Sequence, residues 1–88
     1  MMSFKEEFVS QCRSVLCETG PADMKIEERK VNKAQRGELN GLLFIKEGLL
    51  CAPTFYIEDF YSSYKEGRSI ADISHDAVES AVHSMGMA

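Results

Sequence analysis

The chain contains no Cys-x-x-Cys pair, no glycine loop of the kind that cradles phosphate and no nucleophile signature. Its three cysteines, Cys12, Cys17 and Cys51, are odd in number and wrongly spaced for a disulfide framework. No metal or cofactor is therefore expected, and no catalytic residue is assigned. Long apolar runs are also missing: the longest weakly charged stretch, Gly48 to Ile57, falls far short of the roughly 20 residues that a membrane helix needs, and Pro53 interrupts it. Charges fill the first residues, Met1 to Phe8, where a secretory signal requires an apolar core, so the expected location is the cytoplasm. No linker rich in Pro, Gly or Ser divides the 88 residues, and residues 1–88 are read as a single domain.

What is present is an ordinary globular balance, with a hydrophobic fraction of 44% and a charged fraction of 27%, which excludes disorder. The net charge of −4 argues against a general nucleic-acid surface. The charge is unevenly spread: Lys25, Arg29, Lys30, Lys33 and Arg36 cluster early, while Glu58 to Glu79 is acidic. Glu27 and Glu28 interrupt the basic cluster and no aromatic ladder accompanies it, so a charged sheet edge explains it better than a phosphate contact.

Two apolar runs lie at the centre, one over Leu39, Leu42, Leu43, Phe44 and Ile45 and one over Phe55, Tyr56 and Ile57, separated by Lys46-Glu47-Gly48. Their length and their β-branched and aromatic content favour strands joined as a hairpin. Before them, Met24 to Val31 reads as a charged edge strand and Asn32 to Gly37 as a hairpin loop. Gly41 is expected to form a bulge, with a turn at Asn40-Gly41 as the alternative. Pro53 is tolerable near the start of the third strand.

Ser3 and Glu6 make a capping box, and Phe4, Phe8, Val9, Cys12, Val15 and Leu16 share one face of the helix that follows. Gly20 is expected to close it in the left-handed conformation, ahead of Pro21. Asp59 is expected to cap a short helix over Phe60 to Glu66, ended by Gly67. Ser69 and Asp72 repeat the capping box before a last helix striped by Ile70, Ile73, Ala77, Ala81 and Met85. The order predicts an α+β fold: an N-terminal helix, a three-stranded antiparallel meander, a short helix and a C-terminal helix, the helices packed on one sheet face.

The combination Val31-Asn32-Lys33, Gly37, Asn40-Gly41-Leu42, Ala52-Pro53-Thr54, Tyr56, Phe60-Tyr61, Tyr64 and Glu66-Gly67-Arg68-Ser69-Ile70 resembles an uncharacterised bacterial family that carries a domain of unknown function. The resemblance runs over most of the chain and implies no activity. Ala34-Gln35-Arg36 stands where the family pattern has asparagine before the glycine.

Among chemically interesting side chains, Cys12 and Cys51 read as core, and Cys17 faces away from the apolar stripe as the thiol expected to be the reactive one. His75 and His83 are eight apart, whereas a metal pair on a helix is usually four apart. Glu58 and Asp59 are neighbours on a strand or cap and do not make a general acid–base pair. The tyrosines Tyr56, Tyr61 and Tyr64, with Arg68, form the most suggestive recognition cluster.

Alternation puts Leu39, Leu43 and Ile45 on one sheet face and Leu42 and Phe44 on the other. The interaction residues expected are Leu42, Phe44, Tyr56, Tyr61, Tyr64 and Arg68, on a face left open for a homodimer or a protein partner. The function expected is a non-enzymatic protein–protein interaction or accessory module, with no specific nucleic acid and no membrane as partner. The alternatives are a small enzyme, or a fragment of one, using a thiol or the tyrosine cluster, and a weak nucleic-acid binder using the basic first hairpin.

The isolated chain is predicted to fold without metal or disulfide. Its thermal melting temperature should stay the same in chelator and in reductant, and a large drop in either would refute the prediction.

Overall fold

The computed structural model describes residues 3–86. Helix α1 spans Phe4–Thr19, strand β1 Met24–Lys33 and strand β2 Gly37–Lys46. Two short strands, β3 (Leu49–Leu50) and β4 (Phe55–Tyr56), precede helix α2 (Ile57–Lys65) and helix α3 (Ile70–Gly86). The α+β class and the antiparallel meander are as the sequence predicts. Strand β2 is central, with β1 on one edge and β3 and β4 both on the other.

Local chemistry accounts for the helix starts. The Ser3 hydroxyl accepts from the Glu6 amide at 3.3 Å, and the Ser69 hydroxyl accepts from the Asp72 amide at 3.1 Å. The stops differ from expectation at Gly20, whose φ of −97° is extended rather than left-handed. Glycine is needed there for space, because a Cβ would run into Leu16 Cδ1 and lie 2.9 Å from the Leu16 carbonyl oxygen. Gly67, at φ +105°, does end α2 through a conformation that side chains disfavour.

The β1–β2 ladder runs unbroken from Met24↔Lys46 to Lys33↔Gly37, so Gly41 sits in regular register opposite Arg29 and forms neither a bulge nor a turn. A Cβ at Gly41 would lie 2.9 Å from both Thr54 Cγ2 and Val31 Cγ2. The glycine is therefore a recess into which two methyl groups close, one from Val31 on β1 and one from Thr54 just ahead of β4. At the far end, Glu47 and Gly48 have φ of 55° and 79°, the two positive values of a two-residue hairpin turn whose twist matches the strands.

The expected third strand is split. β3 pairs with β2 through Ile45↔Leu50 and Lys46↔Leu49, the chain then leaves the sheet through Cys51 to Pro53, and β4 returns to pair Leu42↔Phe55 and Gly41↔Tyr56. Helix α2 begins at once, at Ile57, so Asp59 lies inside its first turn and caps nothing; Tyr56 precedes the helix without a side-chain cap. The ladder would otherwise continue to Asn40. In its place the Glu58 carboxylate accepts the Asn40 backbone amide at 3.0 and 3.1 Å and its side-chain amide at 3.3 Å. A helical residue thereby satisfies a strand donor that has no strand partner.

All three helices contribute to one core. Phe8, Val9, Cys12, Val15 and Leu16 of α1, Ile57 of α2 and Ile73, Ala77, Val78 and Ala81 of α3 meet Met24, Ile26, Leu42 and Phe44 of the sheet. The side chain of Met85, expected to extend the α3 stripe, lies outside the described residues. Ser74 is fully buried on α3 and satisfies itself by donating to the Ala71 carbonyl at 2.9 Å.

Gly41→Ala should lower stability by about 1–3 kcal/mol through overpacking. Adding Val31→Ala should recover part of that loss, as measured by urea unfolding, because it empties the space that the new methyl group needs. A double variant no more stable than the single one would show that the recess does not account for the glycine.

Candidate functional site

The register assigns each sheet residue to a face. Leu42 and Phe44 point under the helices and have no solvent exposure, so the expectation that they centre an open face is reversed. Tyr56 pairs with Gly41 and belongs with Leu39, Leu43 and Ile45, on the face away from Leu42 and Phe44. Leu42 and Phe44 are buried in one cluster with the apolar stripe of α1, whereas Gly41 breaks the apolar row on the other face.

Among the described residues, that other face carries no helix. Across it run Lys25, Glu27, Arg29, Val31 and Lys33 of β1, then Ile45, Leu43, Gly41 and Leu39 of β2, then Leu50 and Tyr56. Leu50 is 53% exposed, and Leu49 beside it is 71% exposed. Leu39 and Ile45 are buried, yet they lie outside the core beneath the helices. The row is therefore apolar at its β3 end and aromatic and cationic at its β4 end. Lys33 Nζ stands 4.5 Å from the centre of the Tyr56 ring and the Arg36 guanidinium 5.8 Å from it, both within cation–π range. Arg36 also donates to Asp59 at 2.6 Å, and that hydrogen bond, more than the accompanying charge, strengthens its hold on its proton.

The tyrosine cluster divides in space. Tyr61 and Tyr64 stack 6.2 Å apart on α2, at 5.1 and 5.0 Å from Phe4, and remain partly exposed. Phe60, just before them in sequence, turns inward to Phe8 and Phe55 at 4.9 and 6.0 Å. Arg68 joins neither group and pairs with Asp76 on α3. Glu58 and Asp59 are each engaged, the first by Asn40 and the second by Arg36, so they do not act as a pair.

The three thiols are separated by burial. Cys12 is buried, Cys51 is partly buried against the core and Cys17 is exposed. Desolvation pushes the Cys12 thiol from the usual 9.0 up to about 12. His75 and His83 are exposed on α3, and among the described residues no group of three or more His, Cys, Asp or Glu side chains is placed to hold a metal. No described helix is long and apolar enough to cross a membrane.

One feature that periodicity does not reveal is a groove of about 380 Å³ between the end of α1 and the start of β1. It is lined by Arg13, Leu16 and Cys17 on the helix side, Pro21 and Ala22 in the connection, and Met24, Lys25 and Ile26 on the strand side. Its signal in the sequence is only the close succession of a helix stop and an edge strand.

Because the folded Cys12 keeps its proton where the unfolded thiol has lost it, ionisation favours the unfolded chain. The effect is absent below about pH 9 and grows as pH rises towards about 12. A Cys12→Val variant is expected to lose less stability across that window than the wild type, as followed by urea unfolding. In the native protein at pH 8, iodoacetamide should modify Cys17 and leave Cys12 untouched until denaturant is added.

No curated protein and no solved structure matches the chain. A family model for a family of unknown function (DUF5688) matches residues 4–87, which include the hairpin, the Ala52-Pro53-Thr54 segment, the aromatic helix and the glycine-arginine junction described above. The chain belongs to that family.

Proposed function

We propose that this chain is a non-enzymatic interaction module that associates with a second copy of itself through the uncovered sheet face. The observation that carries the reading is the one-sided distribution of the helices, which among the described residues leaves Leu43, Leu50 and Tyr56 on a face with no helix over it. Exposed leucines adjoining a half-buried apolar row are the kind of surface that interfaces use. The β1 column alternates in sign, Lys25, Glu27, Arg29, so a two-fold arrangement can set Glu27 of each copy against a cation of the other. Face-to-face sheets pack about 10 Å apart, close enough for these side chains to interdigitate.

Sedimentation should show the wild type passing from monomer to dimer as concentration rises into the high micromolar range. Leu50→Asp should remain monomeric with an unchanged melting temperature, since Leu50 is exposed and belongs to no part of the core. A wild type that stays monomeric throughout that range would end this reading.

A further inference from the structure

The outer edge of β1 offers a second, separate surface. Among the described residues β1 is the last strand of the sheet on its side, and over its 10 residues a row of backbone donors and acceptors has no strand beside it. The register shows which residues present them. The Asn40 amide points to Glu58 and the Phe44 carbonyl accepts from the Cys51 amide, both on the β3–β4 side of β2. In an antiparallel ladder the backbone groups of one residue point the same way and alternate along the strand, so Leu39, Gly41, Leu43 and Ile45 face β1. Their partners Val31, Arg29, Glu27 and Lys25 face back, which leaves Ile26, Glu28 and Lys30 presenting amide and carbonyl outward.

The same edge borders the groove between α1 and β1. Its lining is apolar at Leu16, Pro21, Met24 and Ile26 and cationic at Arg13 and Lys25, and no carboxylate lines it. Among the described residues, neither Arg13 nor Lys25 takes part in an ion pair. In a chain of net charge −4, this is a local site of the opposite sign.

We infer that β1 and this groove receive an extended segment of a protein partner that carries an acidic side chain. The segment would add to the sheet as an extra strand through the outward groups of Ile26 and Glu28. One of its apolar side chains would enter the groove over Leu16 and Met24, with its carboxylate at Arg13. Backbone pairing supplies the attachment and the groove supplies the selection, as in strand-addition recognition generally.

The test uses the full chain and three end-capped synthetic peptides of strand length, about six residues. All alternate valine with threonine, and one central position is Glu, Gln or Lys. The Glu peptide should bind best, slow hydrogen exchange at the Ile26 and Glu28 amides and slow alkylation of Cys17 at the groove rim. Arg13→Glu, at an exposed position, should weaken the Glu peptide by roughly three- to tenfold and narrow or invert its advantage over the Lys peptide. The inference is overturned if the Lys peptide binds the wild type as well as the Glu peptide does. It is also overturned if no peptide binds, or if the protected amides lie on the Leu43–Leu50 face instead. None of these results alters the dimer measurement, which reports on the other surface.

Discussion

Leu42 and Phe44 leave water completely, and the positions of most other elements follow from how that is achieved. Each such side chain contributes on the order of 1.5–3 kcal/mol when buried. For a small chain this burial requires a helix with a matching stripe directly over β2. Helix α1 supplies Phe8 and Cys12, and α3 packs on α1 through Ile73, Ala77 and Ala81. With both long helices committed to that side, no element remains for the other face. Its apolar row is interrupted by Gly41 and bordered by charges from β1.

The aromatic residues carry the same constraint to the sheet's short edge. Phe44 meets Phe55 edge-on at 5.8 Å, Phe55 meets Phe60, Phe60 meets Phe8, and Phe8 stacks on Phe4 at 5.5 Å. This continuous run ties β2, β4, α2 and α1 together, and it explains why the third strand is not continuous. To bring Phe60 onto Phe8 the chain must turn into α2 immediately after Tyr56, and strand pairing stops there. The carboxylate of Glu58 then makes good the donor that the missing ladder would have left free at Asn40. Tyr61 and Tyr64 lie on the outer side of the same helix, so they cover Phe4 rather than gather with Tyr56.

Electrostatics follow the same division. Asp72, Asp76 and Glu79 are exposed on α3, whereas Lys25, Arg29 and Lys33 line the helix-free face. The charge asymmetry visible along the sequence thus becomes an asymmetry between sides of the fold. Most cations near the hairpin have local partners: Arg29 with Glu27, Arg36 with Asp59 and Lys33 with the Tyr56 ring. Among the described residues Arg13 of α1 and Lys25, both lining the groove at the other end of β1, make no ion pair, and neither does Lys30.

Features that depend on neighbours in sequence could be read without the structure: the serine caps of α1 and α3, the helix periodicities, the charged edge strand, the alternation along β2 and the buried Cys12. Each is decided within a turn or a few residues, where propensity and spacing act directly. Which face of β2 lies under the helices could not be read, because both faces offer leucines and only the fit against α1 separates them. The same holds for Gly41, whose role is set by Val31 and Thr54 closing over it, and for Gly20, whose role is set by Leu16. It holds too for the tyrosines, close in sequence but divided by a strand-to-helix turn, and for the α1–β1 groove, whose walls come from two elements. Packing between elements distant in the chain decides these, since a side chain's value there depends on volumes and unsatisfied groups contributed by residues that local pattern does not specify.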